Sequence, residues 1–168
     1  MADSLKPQDL LVALKLAAHP DTPWTYKDLA SSLSMSQSEV HQAVKRLERS
    51  RLYNSITRRV VRPHLKEFLV HGVPYAFPAS EGEESQGIPT AWSAAPLAGS
   101  LAGAHAAVWA SRQGNQRGHA IRPLYSSAPD AALNDPSLHE WLALVDALRA
   151  GRVRERRLAA AEIERRLS

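Results

Sequence analysis

Thr25–Leu52, TYKDLASSLSMSQSEVHQAVKRLERSRL, decides the fold. Thr25 suits a helix cap, and Tyr26 to Leu33 then form a first helix whose Leu29, Ala30 and Leu33 make a compact apolar face. Ser34 and Met35 break it. Ser36 opens a second helix through a capping box, Ser36-x-x-Glu39: the serine oxygen accepts from the Glu39 amide and the Glu39 carboxylate reaches back. Val40, Ala43, Val44 and Leu47 then share one face at i, i+3, i+4 and i+7. Ser38, Gln42, Lys45 and Arg49 point the opposite way, with His41 and Arg46 on the shoulders. The outer face thus carries hydroxyl, amide and cationic groups, the side chains that bond to base edges and phosphates.

Upstream, residues 7–18 read as another helix. Pro7 suits its first position, and Leu10, Leu11, Leu14 and Ala18 form its buried stripe. Asp21-Thr22-Pro23-Trp24 is a turn, and Trp24 is expected to pack over the helix pair. Downstream, Asn54-Ser55 signals a turn and Ile56, Thr57, Val60 and Val61 favour strand, so a short hairpin is expected. Residues 63–71 form a short helix with Leu65, Phe68 and Leu69 buried and Gly72 as its C-terminal cap.

The short inter-helix turn, the polar SQS first turn and the basic run beyond resemble the helix-turn-helix of bacterial winged-helix regulators of the MarR-like kind. Leu29-Ala30, Leu33, Met35-Ser36, Ser38, Val40, Ala43, Arg46-Leu47-Glu48 and Leu52 carry the likeness, which covers roughly residues 5 to 70. One departure is Ser34, where the family often has glycine; serine tolerates a left-handed backbone less well. The resemblance implies a DNA-binding domain with residues 36–50 in the major groove. Ser36, Gln37 and Ser38 would face the groove at the helix tip, where free amides favour a phosphate. His41, Gln42 and Lys45 would contact bases. Arg46, Arg49, Arg58 and Arg59 would bind the DNA backbone, and Thr25, Tyr26 and Lys27 would touch phosphate at the preceding helix.

The chain has 168 residues and a net charge of +4. Residues 1–70 hold 11 Lys/Arg against 7 Asp/Glu, whereas residues 71–168 hold 10 of each, so the excess is N-terminal. From Lys45 to Lys66 there are eight cations and one acid, Glu48. That stripe is the electrostatic footprint of a nucleic-acid binder. No apolar run reaches 18 residues, so no membrane span is expected. MADSLKPQDL lacks the regions of a signal peptide, and no cysteine occurs. A cytoplasmic location is the expectation.

The remainder is less legible. VPYAFPA reads as a short extended segment, and residues 80–87, SEGEESQG, as a mobile acidic loop. Residues 73–103 as a whole read as a Pro/Ala/Gly-rich arm or a plain linker. AHAAVWAS and RGHAIRPLYS flank a Gly-Asn turn and fit a β-hairpin; SSAPDAALN reads as a loop. Asp135-Pro136 opens a helix over 136–150, with Leu138, Trp141, Leu142, Val145 and Leu148 as its stripe. A charged helix over 152–167 ends the chain, with Val153, Arg157, Ala160, Glu164 and Leu167 near one face. HGVPYAFPA, GIPTA, IRPLY and ALVDALRAGRVRERRLA also resemble segments that follow winged-helix domains in regulators encoded beside toxin or phage-defence genes, which implies autoregulation of an adjacent operon.

Little in the chain points to catalysis. None of the seven histidines sits in a metal-binding spacing, and GNQRGH lacks the Lys-Ser/Thr ending of a phosphate-cradling loop. No cofactor and no enzymatic activity are expected. The expected fold is mainly α with small β elements: a winged helix-turn-helix over 1–72, the arm over 73–103, and an α+β or helical part over 104–168. The expected partner is double-stranded DNA, bound by a homodimer, since one winged helix rarely reads enough base pairs. Helices 136–150 and 152–167 are its expected dimer elements. Two alternatives remain: a protein-binding adaptor or antitoxin-like module whose 73–125 arm wraps a partner, and a small-molecule sensor with a pocket lined by Trp92, Trp109 and Trp141.

Overall fold

The computed structural model describes residues 4–101 and 105–168. Met1–Asp3, and residues 102–104 where the arm was expected to give way to the C-terminal part, lie outside the described residues. The fold is mixed α/β and mostly helical. The first helices are α1 (Pro7–Ala18), α2 (Tyr26–Leu33) and α3 (Gln37–Arg49). A two-stranded hairpin follows, β1 (Tyr53–Asn54) paired antiparallel with β2 (Arg59–Val60). Next come α4 (Arg62–His71) and α5 (Val73–Ala76).

The caps are those the sequence specifies. Thr25 Oγ1 accepts from the Asp28 amide at 3.0 Å. Ser36 Oγ accepts from the Glu39 amide at 3.1 Å, and the Ser36 amide donates to Glu39 Oε2 at 2.7 Å. Ser34 sits between α2 and α3 with φ 53° and ψ 44°. The turn is left-handed although the residue is serine, which carries a steric strain that glycine would avoid.

Beyond α5 the chain departs from expectation. VPYAFPA starts as a helical turn rather than an extended segment. Residues 80–87 are no mobile loop: β3 (Glu81–Pro89) runs through them. A 3-10 turn (Ala91–Ser93), β4 (Ala107–Ala110) and β5 (Gln116–Ile121) follow. β3 pairs antiparallel with both β4 and β5, and these two pair parallel with each other through Ala107–His119 and Val108–Ala120. The expected β4–β5 hairpin is therefore corrected to a closed three-stranded barrel in which each strand pairs with the other two.

Glycine makes that closure possible. The β4–β5 connection folds over the β3 backbone, where Gln86 Nε2 donates to the Gly114 carbonyl at 2.6 Å. A Cβ on Gly114 would lie 1.9 Å from Gly87, so only a bare backbone fits. Composition hides this strand because its first half, Glu81–Glu84, is exposed, and only Gly87 and Ile88 are buried.

SSAPDAALN is also no plain loop, since it contains α6 (Ala128–Leu133). α7 (Pro136–Ala150) is capped by Asp135, whose Oδ1 accepts from the Leu138 amide at 3.0 Å. Leu138 and the unbroken run from Trp141 to Arg149 are buried, polar and apolar residues alike. α8 (Val153–Arg166) packs back on it through Ala159, Ile163 and Leu167. Of the residues expected near one face of α8, Leu167 is buried and Val153 is exposed. α7 is enclosed within one chain, so it is not available as the expected dimer element. The end of α8 is tied to α4, where Arg62 Nη2 donates to the Arg166 carbonyl at 2.7 Å.

One apolar core runs through the whole chain, from Leu10 and Leu14 through Leu47 and Leu69 to Trp109, Leu142 and Ile163. The 73–103 stretch belongs to it through Ile88, Trp92 and Leu97, so it is neither arm nor linker. Trp92, Trp109 and Trp141 are all buried in this core. Polar nodes are set into it. Asp146 accepts from Thr90 Oγ1 at 2.7 Å, Trp109 Nε1 at 2.8 Å and Arg149 Nη1 at 2.8 Å. Asp135 joins the two halves, accepting from Lys15 Nζ at 2.5 Å and His19 Nε2 at 2.7 Å. No helix among the described residues is long and apolar enough to cross a membrane.

Candidate nucleic-acid interface

α3 buries Val40, Ala43, Val44 and Leu47 against α1 and α2 and leaves a polar face outside. Gln37, Ser38, Gln42, Lys45 and Arg49 are exposed. Lys27, at the start of α2, is exposed as well, whereas the Thr25 hydroxyl is already engaged as a helix cap. His41 is half-buried, its ring 5.1 Å from that of Tyr26.

Arg46 departs from the expected set. It is buried, and its Nε and Nη2 donate to the two carboxylate oxygens of Asp9 at 2.7 and 2.8 Å. The correction has a plain geometric cause. Arg46 lies two positions from Val44 and one from Leu47, on the edge of the apolar face, and α1 closes over that edge carrying Asp9. The paired carboxylate holds the guanidinium pKa above its ordinary value, against the effect of burial. Arg46 is a structural residue and is withdrawn from the DNA-backbone set.

The helix tip is also altered from expectation. The Glu39 carboxylate occupies the α3 N-terminus, and its pKa is lowered chiefly by the Ser36 amide and hydroxyl. The Tyr125 hydroxyl donates to its other oxygen at 3.4 Å. A negative charge at that tip repels a phosphate, so the anion site expected at the Ser36–Ser38 amides is filled by the chain's own acid. The side chains of Gln37 and Ser38 remain outward.

Aromatic rings connect α3 to the hairpin. Tyr26 meets Trp24 edge-on at 5.3 Å, and Trp24 meets Tyr53 at 6.2 Å. The Arg58 guanidinium lies 4.2 Å over the Trp24 ring and donates from Nη2 to the Trp24 carbonyl at 2.9 Å. Trp24 Nε1 donates back to the Arg58 carbonyl at 3.3 Å. Arg58 adopts φ 56°, and these contacts hold it there. Arg59 Nη2 reaches Asp21 Oδ1 at 3.2 Å, both side chains being exposed. Exposed pairs of this kind are worth little and exchange readily for other partners.

The loop between the strands is ordered by its own side chains. Asn54 Oδ1 accepts from the Ile56 and Thr57 amides at 2.9 and 3.1 Å, and Ser55 Oγ donates to Glu48 on α3. This leaves Ile56 projecting at 91% exposure. Trp24 packs on Tyr26 of the helix pair, as expected, and Asn54 forms the turn its type signals; Asp9, Glu48 and Tyr125 are members of this region that the sequence reading did not include, and Asp9 and Tyr125 join it through contacts far apart in the chain.

The site is a solvent-exposed face with cations, amides and hydroxyls. No group of three His, Asp or Glu among the described residues is arranged to hold a metal ion. No family model, curated protein or solved structure matches this chain.

Proposed function

We propose that this chain is a sequence-specific, double-stranded-DNA-binding transcriptional regulator, acting as a dimeric repressor of its own operon. In this reading residues 1–72 form a winged helix-turn-helix. α3 enters the major groove and the β1–β2 hairpin is the wing. The observation that carries it is the outward face of α3: Gln37, Ser38, Gln42, Lys45 and Arg49 are all exposed, while the opposite face is buried. Gln42 suits bidentate pairing with adenine and Lys45 suits guanine. His41 is the third base-contact candidate, oriented by Tyr26. Arg49, Arg59 and Lys27 would neutralise phosphates, joined by Arg58 from its seat on Trp24. The ring-to-ring contacts from His41 through Tyr26 and Trp24 to Arg58 support a fixed spacing between helix and wing.

The test is a binding selection with the purified full chain at about physiological salt, using its own upstream region and random DNA. An enriched inverted repeat is expected. Affinity should fall linearly with log salt, by a slope of about −0.9 per phosphate contacted. Weak binding to every sequence alike overturns the reading and favours the adaptor alternative, in which this face meets a protein.

A further inference from the structure

We propose that Asp21 is the chain's own stand-in for a DNA phosphate. Its carboxylate holds Arg59 in the free protein and leaves when a backbone phosphate seats between Arg59 and Arg58. The proposal rests on the DNA-binding reading above; the seat and its displaceable acid are what it adds.

The seat is a cleft of about 260 Å³ between the turn before α2 and the β1–β2 hairpin, and Asp21, Thr22, Trp24, Thr57, Arg58 and Arg59 all line it. At about 30 Å³ for a water molecule, it has room for a phosphate group and its solvent. Two guanidinium groups and two hydroxyl side chains are donors of the kind that hold phosphates. Ring contacts tie the cleft to α3: Trp24 meets Tyr26 at 5.3 Å, and Tyr26 meets His41 at 5.1 Å.

Arg58 is fixed in place before any ligand arrives. Its guanidinium lies 4.2 Å over the Trp24 ring, and Nη2 donates to the Trp24 carbonyl at 2.9 Å. Nε and Nη1 have no hydrogen-bond partner among the described residues. The residue sits at φ 56°, a left-handed backbone that persists in a non-glycine residue only where its neighbours over-determine it.

The acids near this face are tied down to different degrees. Asp9 is buried and bonded twice to Arg46. Glu39 closes the capping box of α3. Asp21 has no such tie: among the described residues its carboxylate meets only Arg59 Nη2, at 3.2 Å, with the two side chains 86% and 58% exposed. It can therefore leave Arg59 without unmaking a cap or a buried pair. Little is lost when it does, and the freed guanidinium fork matches the geometry of a phosphate. While Asp21 stays, it neutralises Arg59 and repels the DNA backbone. Both effects act on phosphates and not on base edges. Asp21 thus lowers affinity for every sequence alike and leaves sequence choice to α3.

The test is fluorescence anisotropy with the purified full chain at about physiological salt, on its own upstream region and on random duplex. D21N should tighten binding to both by about threefold to fivefold, with the urea midpoint unchanged. R59A should weaken binding to both. In the R59A background D21N should gain less than about twofold, because the acid then has no partner to release. An equal gain with and without Arg59 marks a mere loss of negative charge and overturns the proposal. So does a D21N chain that gains on one DNA alone. Inorganic phosphate at matched ionic strength should compete no better than chloride; stronger competition means that the cleft takes the free anion, and overturns its assignment to the DNA backbone. If wild type and D21N both bind no DNA, the regulator reading itself falls. A D21N chain that matches wild type on DNA that wild type does bind leaves that reading standing and removes the seat.

Discussion

Removing the Arg46 guanidinium, as in Arg46→Ala, separates the structural role found here from a DNA-contacting one. Asp9 is fully buried and accepts three bonds: two from Arg46 and one from the Lys6 amide at 2.8 Å. Without Arg46 only the amide remains. Breaking a buried pair in this way costs about 3–5 kcal/mol, since one charge is left uncompensated. The lower end is expected, because Asp9 lies in the first turn of α1, where the helix dipole favours an anion by about 0.3–1 kcal/mol. At about 2 kcal/mol per molar urea, a loss of about 3 kcal/mol moves the urea midpoint down by roughly 1.5 M. The double variant Asp9→Leu/Arg46→Met removes both charges together and should recover most of that loss. Urea unfolding followed by tryptophan fluorescence measures all three. A loss below about 1 kcal/mol for Arg46→Ala, together with weaker binding to every DNA sequence, would refute the reasoning and return Arg46 to the phosphate-binding set.

Four further outcomes follow from particular contacts. Ser34→Gly relieves the left-handed strain at the α2–α3 turn; against the greater chain entropy of glycine the net gain should be about 0.5–1 kcal/mol, read by thermal or urea unfolding. Gly114→Ala forces a Cβ into the Gly87 backbone and should lower stability by more than about 2 kcal/mol, with loss of near-ultraviolet signal from the barrel. Stability should fall with acid: Glu162 is held at about 2, below its ordinary 4.5, chiefly by Arg165 and then Arg166 against the effect of burial. Burial pushes Asp135 up, but Lys15, the Leu138 amide and His19 outweigh it and hold its pKa low. Both depressed carboxyls stabilise the fold above their unfolded values and lose that contribution as pH drops from about 4.5 towards 2; Glu162→Gln should flatten the slope of urea midpoint against pH in that window. Gln42→Ala should alter sequence preference, whereas Arg58→Ala should weaken operator and random DNA alike and reduce the salt slope by about 1; equal losses on both DNAs for Gln42→Ala would count against base reading.

The N-terminal third was legible because its signals are local. Ser36 and Glu39 are three residues apart and specify the α3 start by themselves, and the Val40–Leu47 spacing fixes which face turns inward. Arg46 was misread because helical geometry leaves it on the border between faces, and the acid that claims it lies on α1, 37 residues away. Residues 80–87 were misread for a related reason. An acidic, glycine-containing segment has no apolar alternation, so nothing local marks it as strand. It becomes one because β5 offers backbone partners from Glu81 to Gly87, with β4 joining at Gly87.

The sequence by itself determined the three N-terminal helices, their caps, the outward polar face of α3 and the start of α7, each through residues within a turn or two of one another. Tertiary structure alone decided that Arg46 belongs to Asp9, that β3 closes a barrel with two mutually parallel strands, and that α7 is enclosed rather than offered to a partner. Hydrogen-bond pairing of exposed backbone and the burial of charge depend on which distant segments meet, and short-range periodicity carries no record of that.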